Sequence, residues 1–179
     1  ISIPALGINF EGMPYQSSIP VFGNYFKITF IENPGMAFGI EFGWAKIFLS
    51  LFSILASIVL IYIINNIRTS HIAVRTGFSL IFAGAVGNLI DRVFYGVIFG
   101  EQPLFYGKVV DFIQVDIPDI AFLGWIHFPV FNIADSCVTV GVSFLILFNS
   151  KLPNFDFLFS KSKANKENDE NNIAKLEIK

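Results

Sequence analysis

The sequence predicts a membrane protein, mainly α-helical, in which a bundle of transmembrane helices carries a small extracytoplasmic β-sheet. Three observations predict it. The 179-residue chain is 54% hydrophobic, and its mean hydropathy of +0.63 is too high for an ordinary soluble domain. Three apolar runs are each long enough to cross a hydrocarbon layer of about 30 Å as a helix. Two further stretches, outside those runs, are rich in aromatic and β-branched residues and read as strands.

The elements follow in chain order. Residues 1–21 are too short for a span and are interrupted by Pro4, Gly7, Gly12 and Pro14. "FGNYFKITFIEN", 22–33, reads as a strand that ends in the turn signal Asn33-Pro34-Gly35. "WAKIFLSLFSILASIVLIYII", 44–64, is the first visible span, and its one charge, Lys46, can snorkel at the end. Residues 72–94 form the second, where Gly84, Ala85 and Gly87 would let another helix approach closely. The connection 95–127 exceeds ordinary loop lengths and contains the strand-like "GKVVDFIQVDI", so it is expected to be a structured cover. Residues 128–149 form the third span, with Pro129 in its first turn, and 160–179 are a polar tail. Residues 1–159 are therefore expected to form one membrane-embedded domain.

Lysine and arginine stay preferentially on the cytoplasmic side. Arg68 and Arg75 mark the 65–71 connection, and six lysines mark the tail after residue 150, so both belong inside. Residues 1–43 and 95–127 then lie outside, where Glu101, Asp111, Asp116 and Asp119 outnumber Lys108. A net charge of −2 with no long basic run excludes a nucleic-acid partner. Cys137 has no second cysteine to pair with and reads as a small buried hydrophobe. His71 and His127 are far apart and belong to no HExxH pattern, so no metal site is expected.

This orientation brings the polar residues of the second and third spans to one interface. Asn88, Asp91 and Arg92 share a helix face at i, i+3 and i+4, and Asn132, Asp135 and Ser136 repeat that spacing. Asp91 beside Arg92 reads as an ion pair and hence a poor proton donor. Asn88 and Asn132 read equally as ties between helices. Asp135 has no basic residue within a helical turn, and Asp111 is a lone acid among apolar residues in "VVDF", whereas Asp116 and Asp119 read as solvated. If Asp111 and Asp135 approach one another, burial and like-charge repulsion would make them share a proton near neutral pH. One would then act as general base on a water and the other as general acid toward a peptide carbonyl.

Four motifs carry a family resemblance: "NPGMAFG" at 33–39, "GNLIDR" at 87–92, "VVDF" at 109–112 and "FPVFNIADS" at 128–136. In these, and in their order around the spans, the chain resembles lipoprotein signal peptidase, the bacterial signal peptidase II. The resemblance implies four transmembrane helices, a periplasmic β-cradle and a periplasmic loop over the site, in the bacterial inner membrane. It implies an aspartic endopeptidase, free of metal and cofactor. That enzyme removes signal peptides from diacylglyceryl-modified prolipoproteins by cutting just before the lipidated cysteine. By motif match Asp111 and Asp135 would be the catalytic pair. Asn88 and Arg92 would contact the substrate backbone, Asp91 would support Arg92, Asn132 would orient the pair, and Asn33 and Gly35 would line the substrate groove. The expected partners are the prolipoprotein and membrane lipid, with the chain acting as a monomer. Members begin with a span bearing a "DQxxK"-like pattern that has no counterpart before residue 22, so the chain is expected to lack that first helix. The alternatives are a truncated or inactive relative, or a small transport or structural membrane protein with Asp and Asn as a polar relay.

Overall fold

The computed structural model describes residues 2–3, 8–9, 12–35, 43–116 and 128–154. Residues 36–39 of the first motif, Asp119, His127 and the 160–179 tail lie outside them. Strands β1 (Ser2–Ile3) and β2 (Ile8–Asn9) pair antiparallel, and β3 (Ser18–Phe22), β4 (Phe26–Asn33) and β5 (Val109–Val115) form a separate antiparallel sheet in the order β3-β4-β5. The helices are α1 (Gly43–Asn66), α2 (Ile72–Ile98) and α3 (Ile133–Leu147), followed by a 3-10 turn at Asn149–Lys151.

Among the described residues two helices are long and apolar enough to cross a membrane, in the stretches Lys46–Asn66 and Ile72–Ile98. The core helix of a soluble protein with such hydropathy would be mostly buried, yet only 11% of the α1 window is buried. Phe48, Leu51, Phe52, Leu55 and Ile58 all face outward, which costs little only in an apolar solvent. The third expected span is corrected. α3 has 15 residues, about 22 Å of helix, and residues 128–132 precede it as extended chain. Pro129 is therefore not in a helical turn. The helix starts late because Asn132 is its N-cap, and because the Phe131 backbone is taken up by Ile113 of β5.

The strand expected over 22–33 is in fact the second arm of a hairpin. Gly23, with φ +53°, turns the chain over 23–25 and sends Ser18–Phe22 back along β4. Between β4 and β5 the register runs Ile28↔Ile113 and then Ile31↔Asp111, so β4 carries one residue too many at a bulge beside Asp111. Such bulges bend a strand and re-aim its side chains.

Ile63, Ile67, Val74 and Phe78 bury the turn between α1 and α2. The crossing of α2 with α3 is closer and depends on glycines, as the Gly84 and Gly87 positions led one to expect. A Cβ on Gly141 would lie 2.7 Å from the Gly77 carbonyl, and one on Gly84 would overlap the Ala134 carbonyl and Val138. Ala134 precedes Asp135, so this contact sets how deep the start of α3 sits. Gly84→Val is expected to lower thermal stability by about 1–3 kcal/mol, because the overlap is with backbone that cannot rotate away. A Gly84→Val protein melting within a degree of the parent would show that α3 is free to slide.

Candidate active site

Asp111 and Asp135 meet through Asn132. Asp111 lies in β5 and is 4% exposed, and Asn132 is 5% exposed, so both are withdrawn from bulk solvent. Three backbone devices bring them there. The outer edge of β5 is held by Asp91, whose Oδ2 accepts from Val110 N at 3.1 Å. It is also held by Phe131, which accepts from Phe112 N and Ile113 N and donates to Ile113 O. Phe131 is followed directly by Asn132, whose side chain caps α3 by accepting from Asp135 N at 3.0 Å. The Asp135 carboxylate in turn accepts from Asn132 N at 3.2 Å. This reciprocal capping box fixes Asp135 in the first turn of the helix.

The Asn132 amide then has a single orientation. Its Oδ1 faces an N–H, while its Nδ2 donates to Asp111 Oδ1 at 2.8 Å and to Asn88 Oδ1 at 3.0 Å. Asn88, in α2, is oriented by that bond and donates its own Nδ2 to Asp135 Oδ1 at 2.8 Å. Asn33, at the end of β4, donates to Asp111 Oδ2 at 3.0 Å. Its other amide atom accepts from Gly35 N at 2.9 Å, a local turn of the kind asparagine favours. Gly35 sits at φ +82°, and a Cβ there would lie 2.5 Å from Leu49, so glycine is required. The two carboxylates thus accept four hydrogen bonds, one at each oxygen and all from neutral amides. Each oxygen keeps acceptor capacity for a proton or a water.

Among the described residues neither carboxylate forms an ion pair. Burial pushes the Asp111 carboxyl above its ordinary range. The Asn33 and Asn132 hydrogen bonds and the charge of Arg92 oppose that shift, and the charge of Asp135 adds to it. Arg92, half-buried in α2, interacts electrostatically most with Asp135, then Asp111, then Asp91. The expected Asp91–Arg92 ion pair is corrected: among the described residues the two form no ion pair, and the Asp91 carboxylate is engaged by the β5 backbone. Asp116, expected to be solvated, is also corrected, because it pairs with Lys27 at 2.5 Å and accepts from Gln114. Ser136 does not join the network, since its hydroxyl turns back on the Asn132 carbonyl. Cys137 is a free, half-buried thiol.

The sequence reading missed a clamp at the outer end of α2. Glu32 of β4 accepts from Tyr95 at 2.7 Å and pairs with Lys108 at 2.5 Å, and Lys108 also reaches Glu101. Burial alone would raise the Glu32 carboxyl, but the bonds from Lys108 and Tyr95 overcome it and hold it below its ordinary range. The bond to Glu32 is the main cause that raises the Lys108 ammonium. The clamp ties the sheet to α2 one residue before Asn33. Its one sequence signal was that Glu32 and Lys108 each adjoin a motif. Gly107 was missed as well: a Cβ there would overlap the Asp91 carbonyl, so the strand can enter beside α2 only without a side chain.

Comparison with known proteins identifies the family. The family model described as Signal peptidase (SPase) II matches residues 7–150. A lipoprotein signal peptidase of Porphyromonas gingivalis is 40% identical over 151 residues, covering 69% of this chain and 66% of its own length. One of Syntrophus aciditrophicus is 38% identical over 137 residues, covering 74% of each. The chain therefore spans just under two thirds of the Porphyromonas protein. Two solved structures, both described as bacterial membrane enzymes, superpose with TM-scores of 0.58 and 0.59 at 34% and 33% identity. They cover 78% and 80% of this chain, which in turn covers 74% and 81% of theirs. With residues 7–150 matched by that family model, and with Asn33, Asn88, Asp111, Asn132 and Asp135 joined in one hydrogen-bond network, the chain belongs to the signal peptidase II family.

Proposed function

We propose that this chain is an aspartic endopeptidase of the bacterial inner membrane. It removes signal peptides from diacylglyceryl-modified prolipoproteins by cutting before the lipidated cysteine, at the outer face of a multi-pass helix bundle. The observation that carries this reading is the pair Asp111 and Asp135, bridged by Asn132 and held only by neutral amides. Family membership supplies the substrate class, and the exposed apolar faces of α1 and α2 support the membrane setting.

The chemistry follows from one proton shared by two carboxyls. Asp111, buried and lifted above its ordinary range, carries the proton, while Asp135 is the base. Water attacks the scissile carbonyl carbon as its proton passes to Asp135, and the carbonyl oxygen takes the proton of Asp111. The resulting gem-diol collapses when the C–N bond breaks: Asp135 passes its proton to the leaving amine, and Asp111 recovers one from a diol hydroxyl. Arg92 and Asn88 bind the substrate backbone, and Asn33 and Gly35 line the substrate groove. Asp91 acts through β5, not through Arg92. A polar relay for transport would spread its acids along a path, whereas these gather at one end of the helices.

The test is cleavage of a diacylglyceryl-modified prolipoprotein peptide by the chain in detergent or nanodiscs, with mass spectrometry locating the cut. Expected is chelator-insensitive cleavage before the modified cysteine. Cleavage elsewhere, loss of cleavage with chelator, or no cleavage by folded protein overturns the reading. The pH profile is a second check. Asp111 must be protonated to act as the acid and its folded-state pKa is raised, so kcat/KM falls as pH rises through a value above the ordinary aspartate pKa of about 3.9.

A further inference from the structure

At the opposite end of the helical hairpin from the aspartates, α1 and α2 enclose an open groove of about 680 Å³. Arg68, Arg75 and Thr76 line it together with Ile61, Leu80 and Phe82. Asn88 lies 16 residues along α2 from Ile72, about 24 Å of helix, so the groove is remote from the site already described. We propose that it binds an anionic phospholipid of the cytoplasmic leaflet, headgroup phosphate on the two arginines and acyl chain along the apolar wall. The cytoplasmic assignment rests on the orientation proposed above, not on the proposed chemistry.

Charge complementarity carries the inference. Among the described residues neither arginine forms an ion pair; the three ion pairs present are all made by lysines. Among the described residues Arg68 donates to a neutral amide oxygen, that of Asn65. Nor does the hairpin hold a counter-ion of its own, because the sequence has no Asp or Glu between Glu41 and Asp91. Arg75 lies in the first turn of a membrane-spanning helix, where a long cationic side chain reaches the headgroup layer. A phosphodiester matches the guanidinium fork and accepts paired hydrogen bonds from it. Basic pockets between helices on the cytoplasmic side suit anionic headgroups. The wall that continues from the arginines is mostly apolar, with Ile61, Ile64, Leu80 and Phe82 beside Ser79, as a tethered acyl chain requires and a free anion does not.

The test reads lipid retention by native mass spectrometry on the full chain, released from nanodiscs of equal parts phosphatidylglycerol and phosphatidylcholine. Wild type is expected to retain phosphatidylglycerol over phosphatidylcholine by on the order of tenfold. Arg68→Gln/Arg75→Gln is expected to abolish the preference with thermal stability unchanged, and Arg68→Lys/Arg75→Lys to recover part of it. Equal retention of the two lipids, or a preference that survives the glutamine pair, overturns the proposal. So does displacement of the lipid by millimolar inorganic phosphate, which would mark a free-anion site. A photo-crosslinker at Leu80 that captures polypeptide instead of lipid also overturns it. Asp111→Asn should keep the preference, so a failed lipid site and a failed peptidase are told apart.

Discussion

Asp111→Asn and Asp135→Asn are each expected to lower kcat for prolipoprotein cleavage by at least about a thousandfold, with the fold retained. Either change removes a group that must give or take a proton, a contribution of about 10²–10⁴ on its own. Because the two share one proton, the double variant should be little worse than either single. Retention of the fold follows from the hydrogen bonds. An asparagine at 111 still accepts from one of Asn33 and Asn132, and its new NH₂ faces the other donor, so one bond is lost. The same count holds at 135 between Asn88 and Asn132 N. A lost bond costs about 1 kcal/mol, a shift of about 2–4 °C in melting temperature for a chain of this size. Turnover within tenfold of wild type in a folded variant would sink the two-aspartate mechanism; unfolding of both variants would make the carboxylates structural.

Asn132→Ala is expected to give the second largest effect, with activity and stability falling together. The change deletes the N-cap of α3, worth about 1 kcal/mol. It also deletes the two donated bonds that align Asp111 with Asn88. Since Asn132 touches both aspartates and is not assigned to the substrate, it is a positioning residue, and kcat should fall by about a hundredfold with KM nearly unchanged. Asn132→Ser separates the two roles. A serine hydroxyl still caps the helix at Asp135 N but is too short to hold Asp111 and Asn88 together. Stability should then return toward wild type while activity does not. Recovery of both by serine would reduce Asn132 to a helix cap.

Legibility in the sequence followed the length scale of each signal. α1 and α2 could be read because a span is a local property of about 20 residues and needs no partner. β4 and β5 could be read from composition alone, whereas β3 was lost because Phe22-Gly23-Asn24-Tyr25 looks like the start of a strand until Gly23 takes a positive φ. The third span was overextended at its start. Phe128–Phe131 is as apolar as a helix turn, and the pairing of Phe131 with Ile113 of β5 and the Asn132 cap keep it out of the helix. Asp91 was assigned to its sequence neighbour, yet Val110 N, 19 residues away, holds its carboxylate. The clamp of Glu32 with Lys108 spans 76 residues, a separation at which no local pattern exists.

By itself the sequence determined the apolar spans, their proposed orientation, the turn at Asn33-Pro34-Gly35, and Asp111 and Asp135 as acids without a local cation. These follow from hydropathy, charge asymmetry and backbone preferences, each a property of a few neighbouring residues. Only the tertiary structure decided that Asn132 bridges the two acids, that Asn33 and Asn88 complete their hydrogen bonds, that Asp91 serves β5, and that Gly84 and Gly107 admit α3 and the strand to their places. A hydrogen bond of about 3 Å depends on both partners' positions. Those positions are set by bulge, cap and helix crossing together, none of which a single segment specifies.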